Sequence, residues 1–317
     1  MSKRKDRYTI AFYNVENLFD TFDNPKTHDD DFTPKSRLGW NTKKYQHKLR
    51  KITSVIRQLG SNKSIYPPAI IGLVEVENAK VVKDLATHKN LSKYTYKYVH
   101  YDSPDERGID VALLYNSDFF EVISSKTHHL LLTDEIGEID YTRDLLEVKG
   151  MLNGEVVYVL VNHWPSRRQG ETETEENRIK AAKLVRKTIH SIQEKEENAK
   201  FIIMGDFNDD PTSISIENHL MSGDLYNPMK PLYEKGMGTT THYKEWHLFD
   251  QIIFSRDFFD TEKSEHTFLE AKIFKTDWLK IYRGKYKGSP FRTYIGPFYK
   301  GGFSDHFPVY VIFEKDS

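Results

Sequence analysis

Phe201-Ile-Ile-Met-Gly-Asp-Phe-Asn208 reads as a short buried strand that halts on a glycine and delivers an aspartate and an asparagine at its end. The same arrangement recurs along the chain. Tyr8-Thr-Ile-Ala-Phe-Tyr13 runs into Asn14 and Glu16. Ala69 to Val74 is a continuous apolar run between Pro68 and Glu75. Glu155 to Val161 leads into Asn162-His163. Asp250 sits inside Leu248-Phe-Asp-Gln-Ile-Ile253, and Ser304-Asp305-His306 directly precedes the run Val309 to Phe313. Rigid strand ends are where layered α/β folds present side chains to a site. Any one of these residues alone is an ordinary turn, cap or surface residue. Together they form a set of carboxylates, amides and imidazoles placed at strand ends.

The intervening chain supplies the other elements. Tyr45 to Leu59 carries Leu49, Ile52, Val55, Ile56 and Leu59 at helical spacing, with Gly60 as a stop. Thr174 to Gln193 predicts the longest helix, with Ile179, Ala182, Leu184, Val185, Ile189 and Ile192 as its buried stripe. Ile109 to Tyr115 predicts another strand, and Asn153-Gly154 predicts a hairpin turn after Leu145 to Leu152. No repeat and no Pro/Gly/Ser linker divides the chain.

The 317 residues include 46 basic and 47 acidic ones, for a net charge of −1. That balance excludes nucleic-acid binding by a bulk positive field, but not by a local basic cleft. Zero cysteines exclude a disulfide framework, a thiolate metal site and a cysteine nucleophile. The longest apolar stretch, Ala69 to Val74, falls far below the roughly 20 residues of a membrane-spanning helix. No apolar segment of signal-peptide type follows Met1-Ser-Lys-Arg-Lys, so a cytoplasmic location is the expectation. Between Lys263 and Lys300, nine Lys/Arg face three acids, and Trp278, Tyr282, Tyr286, Phe291, Tyr294, Phe298 and Tyr299 are interleaved. Residues 256–303 are therefore expected to form a basic, aromatic-rich insertion.

Hard oxygen donors without cysteine suit Mg²⁺ or Mn²⁺, and the chemistry they suit is metal-assisted attack on phosphorus. A zinc site is disfavoured, because His128 and His129 are adjacent in an expected strand and point to opposite faces. No nucleophile elbow, Walker loop or dinucleotide-binding glycine fingerprint is present.

The set Phe12-Tyr-Asn14-Val-Glu16-Asn-Leu18, Leu73-Val-Glu75-Val, Asn162-His163, Gly205-Asp206-Phe-Asn208, Phe249-Asp250-Gln-Ile and Ser304-Asp305-His306 resembles the endonuclease/exonuclease/phosphatase superfamily. That superfamily includes pancreatic deoxyribonuclease, abasic-site endonucleases and sphingomyelinases. The motifs keep the family's order and span nearly the whole chain. The resemblance implies a single domain over 1–317, built as a four-layer α/β sandwich of two packed, mostly antiparallel sheets flanked by helices. It implies Glu75 as the principal ligand of Mg²⁺ or Mn²⁺, with Glu16 and Asp305 as further ligands to the same or a second ion. Asn14 would hold the ligands or the phosphate, Asp206 would orient or deprotonate water, and Asn208 would hold a phosphate oxygen. His306 would act on the scissile phosphate with Asp250 fixing its tautomer, and His163 would contact the phosphate from the other sheet.

Two departures bear on these assignments. Val74 stands where many members have Gln. Glu77 would share a face with Glu75 if the strand continued, which makes it a second ligand candidate. Asn162, Arg167, Arg168 and, more weakly, Arg107 are candidates for contacts to the substrate. The expected activity is hydrolysis of phosphodiesters in DNA or RNA, with Tyr282, Tyr286, Phe291 and Tyr294 stacking on bases. The alternatives are hydrolysis of a small or lipid-linked phosphoester, and an inactive relative that only binds nucleic acid.

Overall fold

A computed structural model describes residues 5–133, 137–167, 170–242, 244–260, 262 and 264–316. One six-stranded sheet contains β1 (Lys5–Leu18), β2 (Ile70–Val76), β3 (Tyr96–His100), β4 (Asp110–Asn116), β11 (His266–Ile273) and β12 (Val309–Asp316), in the order β11-β12-β1-β2-β4-β3. The second contains β5 (Phe120–His128), β6 (Leu145–Leu152), β7 (Glu155–His163), β8 (Phe201–Asp206), β9 (Leu225–Tyr226) and β10 (Asp250–Ser255), in the order β9-β10-β8-β7-β6-β5. Each sheet is antiparallel except for one central parallel pair, β1 with β2 and β7 with β8. Helices α1 (Thr42–Ile56) and α2 (Ala79–Ala86) pack on the first sheet, and α3 (Glu175–Gln193) covers the second. This is the expected four-layer sandwich.

Alternation along β8 explains the layering. Ile202 and Met204 join the core between the sheets, with Val159 and Val161 of β7 and Ile252 and Phe254 of β10. Phe201 and Ile203 face the other way, into the core beneath α3 formed with Ala182, Val185 and Ile189. Each fully buried apolar side chain stabilises the fold by roughly 1.5–3 kcal/mol. The sheets approach closely over Gly72, where an added Cβ would lie 2.6 Å from Met204 Sδ. Helix α1 starts on Asn41, whose side chain accepts from Lys44 N, and buries Tyr45, Leu49, Ile52 and Val55. Asn153 and Gly154 turn the β6–β7 hairpin with positive φ, as expected.

Several elements differ from the sequence reading. Strand β1 does not end at Asn14; it continues to Leu18 across a register shift against β2. Strands β3, β9 and β11 and helix α2 were not anticipated, and the strand expected at His128 and His129 is β5, which ends at His128. The segment expected as an insertion over 256–303 is partly sandwich, because His266–Ile273 pairs with β12 along its length. His128 and His129 do pair separately, with Glu147 at 2.6 Å and Asp144 at 2.8 Å. Among the described residues, no helix is long and apolar enough to cross a membrane.

Gly205 owes its identity to the parallel β7–β8 pair. A Cβ there would sit 2.6 Å from the carbonyl oxygen of Asn162 and 2.7 Å from its Cβ. Backbone cannot yield as a flexible side chain can. Gly205→Ala is expected to cost about 1–3 kcal/mol in urea unfolding through this overpacking. A neutral substitution would show that the two strands have room to separate.

Candidate active site

The register of the second sheet puts three side chains side by side. Asp206 is paired with His163 on β7 and with Asp250 on β10. All three continue the face that carries Met204, Val161 and Ile252, so they point between the sheets at the sandwich rim. The first sheet answers with Asn14 at the end of the β1 apolar run. Its Nδ2 donates to Asp206 Oδ2 at 2.9 Å and to Glu75 Oε1 at 3.1 Å. One amide thus joins carboxylates from both sheets. Glu75 reaches this point because its backbone is left-handed, with φ of 63°, and its Oε2 accepts from Asn17 N at 2.8 Å.

His306 closes the group from the loop before β12. Its Nδ1 is 2.7 Å from Asp250 Oδ2, and its Nε2 is 3.9 Å from Asp206 Oδ2. His163 Nε2 lies 3.9 Å from the same oxygen. Burial disfavours a charged His306, but the Asp250 and Asp206 carboxylates outweigh it and raise its pKa well above the usual value. Burial pushes the Asp206 pKa up to about 6, against the opposing effect of His306 and the Asn14 hydrogen bond. The geometry therefore holds a carboxylate whose proton affinity lies near neutrality beside an imidazolium fixed by a buried acid.

Asp305 and Glu16 form an adjoining acidic pair, bridged by Arg292. The arginine donates from Nε to Glu16 Oε1 at 3.1 Å and from Nη2 to Asp305 Oδ2 at 2.9 Å. Glu16 Oε2 accepts from Thr293 N at 2.6 Å and lies 3.5 Å from Lys48 Nζ. Lys48 is fully buried in α1 and also donates to Phe303 O at 2.8 Å and Thr293 Oγ1 at 2.5 Å.

Four expected contacts take other partners. Asn162 faces away from the site, as alternation beside His163 requires. Its amide donates to the carbonyls of Leu160 and Met204, and its oxygen accepts from Trp164 Nε1. Arg167 supports the turn after β8: it donates to Asn208 O at 2.8 Å, pairs with Asp209 and Glu171, and lies over the Phe249 ring. Arg107 pairs with Asp105 and lines a neighbouring cavity of about 250 Å³. Glu77 is separated from Glu75 because β2 bulges at Glu75 and stops at Val76; its carboxylate accepts from Asp20 N. Burial pushes the Glu77 pKa up to about 7 in that separate location. Asn208, also left-handed at φ 50°, stays at the site, with its N–H on Asp206 Oδ1 and its amide on Trp164 O. Arg168 lies outside the described residues.

Sequence reading did not single out Lys48, Arg143, Arg178 or Asp209. Arg143 is buried near Glu75, donating to Asp105 at 3.0 Å and Trp164 O at 2.8 Å. Arg178 binds Asp209 at 2.7 Å beneath the Asp206–Asn208 turn. Arg292 was visible only as one cation of a basic segment.

Comparisons with known proteins bear on the family and the fold. The endonuclease/exonuclease/phosphatase family profile matches residues 9–315. The chain belongs to this family. No curated protein sequence matches. Among solved structures, an endonuclease/exonuclease/phosphatase family protein from Bacteroides thetaiotaomicron is 18% identical with a TM-score of 0.61, covering 99% of this chain and 97% of that one. D. rerio TDP2 complexed with single-strand DNA product is 16% identical with a TM-score of 0.60, covering 97% and 98%. The mannosyl-6-phosphatase Bt3783 of B. thetaiotaomicron is 18% identical with a TM-score of 0.57, covering 96% and 99%. At these identities the likeness is one of fold, and it spans a protein complexed with a DNA product and a mannosyl-6-phosphatase.

Lys48→Met would leave the buried Glu16 carboxylate short of one cation and free Thr293 and Phe303 from α1. A stability loss on the order of 3 kcal/mol is expected in chemical denaturation. A change below about 0.5 kcal/mol, the size typical of inconsequential surface substitutions, would remove Lys48 from the supporting network.

Proposed function

We propose that this chain is a metal-dependent phosphodiesterase that hydrolyses DNA or RNA in the cytoplasm. The observation that carries the catalytic reading is the Asn14 amide, which holds Glu75 and Asp206 together against the His306–Asp250 pair. The donor chemistry fits Mg²⁺ or Mn²⁺: hard carboxylate oxygens with no sulfur, and Asp250 Oδ1 buried without a hydrogen-bond partner. Glu75 is the principal ligand in this reading, and Glu16 and Asp305 are the acids expected beside it. A bound cation would neutralise charge on the phosphate oxygens.

The chain's own residues do the rest. Asp206 takes a proton from the attacking water, helped by a pKa near 6. His306, held by Asp250, presents Nε2 to the phosphate as a charged donor or acid. His163 and Asn208 orient phosphate oxygens from the second sheet. Nucleic acid is favoured by the loop between Ile281 and Ser289, which are hydrogen-bonded to each other at its base. Its tip exposes Tyr282, Arg283, Lys285, Tyr286 and Lys287, a combination suited to stacking and phosphate contact. Phe291 and Tyr294, by contrast, pack against Phe303 and Trp40. A small phosphoester substrate is the second reading, favoured by the net charge of −1 and by the likeness to a mannosyl-6-phosphatase.

A panel of plasmid, single-stranded and abasic DNA, RNA and small phosphomonoesters, with Mg²⁺ and with EDTA, separates these readings. Chelator-sensitive cleavage of nucleic acid is expected, and His306→Ala should slow it by about 10²–10⁴-fold. Phosphate release confined to small esters would replace the first reading with the second.

The pH profile tests Asp206 independently. Its carboxylate form is present above its raised pKa and lost as pH falls through it. The acid limb of kcat/KM is therefore expected at or below about 6, since a bound cation only favours the charged form. His306 loses its charge as pH rises through its own raised pKa, which sets the basic limb. An acid limb above pH 7 would remove Asp206 as the base.

A further inference from the structure

We infer that Arg292 occupies, from within the chain, the cation position between Glu16 and Asp305, so that the cleft takes one divalent cation rather than two. This rests on the metal-dependent reading above and decides how many ions that reading requires.

The argument begins with charge. Glu16 and Asp305 are met by Lys48 and Arg292, two acids by two cations. Neither cation is incidental. Lys48 is fully buried, with Glu16, Thr293 and Phe303 around its ammonium. Arg292 spans both carboxylates with separate nitrogens, a fork geometry that a guanidinium keeps at every accessible pH. Asp206 and Asp250, on the other side, face the imidazolium of His306. The nearby Arg143 shares Asp105 with Arg107. Among the described residues Glu75 forms no ion pair; its oxygens meet only the Asn14 amide and Asn17 N, which leaves a carboxylate for one divalent ion.

The mounting of Arg292 supports the same conclusion. Phe291 N donates to Leu279 O, Phe303 N to Phe291 O, and Thr293 N to Glu16 itself. The arginine therefore extends from a backbone pinned on both sides. The oxygens of Glu16 are taken up as well: Oε1 accepts from Arg292, while Oε2 accepts from Thr293 N and faces Lys48. An incoming ion would have to displace the guanidinium toward water and compete for Glu16 oxygens that Thr293 N and Lys48 already hold.

The test is a count of bound metal on the full chain, independent of turnover. Chelator-stripped protein is titrated with Mn²⁺, and free Mn²⁺ is read by electron paramagnetic resonance. One Mn²⁺ per chain is expected for the wild type and two for Arg292→Met, whose fold is checked by circular dichroism. Two ions on the wild type would show that the metal displaces Arg292 and would overturn the inference. One ion on a folded Arg292→Met would also overturn it, while leaving the Glu75 site intact. No bound ion on the wild type would instead remove the metal-dependent reading itself. Should Arg292→Met fail to fold, the wild-type count decides.

Discussion

A buried carboxylate has to find its hydrogen bonds inside the protein, and Asp206 finds one of them on the opposite sheet. Its neighbours along the sheet, His163 and Asp250, are placed by strand register alone. The Asn14 amide is not; it arrives only when the two sheets close face to face. An unpaired charge in this position would cost several kcal/mol. Correct closure of the sandwich and assembly of the site are therefore one event. The same amide fixes Glu75, so the distance between the two acids is set by the packing of Met204 over Gly72 and Phe12 as much as by the acids themselves.

That coupling is bought with backbone strain. Glu16, Asn17, Glu75 and Asn208 all have positive φ without being glycine. Such residues cost on the order of 1–3 kcal/mol each and persist only where surrounding contacts over-determine them. Here the contacts are specific. Glu16 N donates to Asn14 Oδ1, Asn17 N to Glu75 and Asn208 N to Asp206. The strained residues thus hold each other's functional side chains. Strain at Glu75 also turns a side chain that regular alternation would direct away from the cleft back toward Asn14. Pre-organisation of this kind avoids reorganising the site as charge develops at phosphorus.

The pattern of apolar run followed by polar residue picks out Asn14, Glu75, His163, Asp206, Asp250 and His306, which the fold brings together. What it could not convey was the bulge at Glu75, since a left-handed glutamate leaves no mark in composition. That bulge is why Glu77 ended in a different environment. Arg167 was misread because its partner Asp209 follows it by 42 residues and meets it only in the folded turn. Other features were legible and passed over. Asn162 and His163 are consecutive in a strand, so only one of them can face the cleft. Lys48 falls at a buried position of the Tyr45–Leu49–Ile52 stripe, and Arg178 does the same on α3. A basic residue on an apolar stripe implies a buried acid to receive it, and both helices supply that signal.

The basic aromatic segment divides into an anchor and a tip, and the division has a mechanistic consequence. In the anchor, Pro290 and Thr293 are buried and Phe291 is half-buried, while Arg292 and the tip from Tyr282 to Lys287 are exposed. In the proposed reading, Asp206 and His306 address only the phosphate, whichever phosphoester enters. Selection must then come from groups outside that rung. The tip is joined to Arg292 through Ser289, Pro290 and Phe291, and Ser289 at its base bonds Thr241, close in sequence to the Trp246 that stacks on Phe307, next to His306. In the proposed nuclease reading, a strand of nucleic acid would extend past the phosphate position and could engage the tip. A small ester, reaching only the phosphate position, would not.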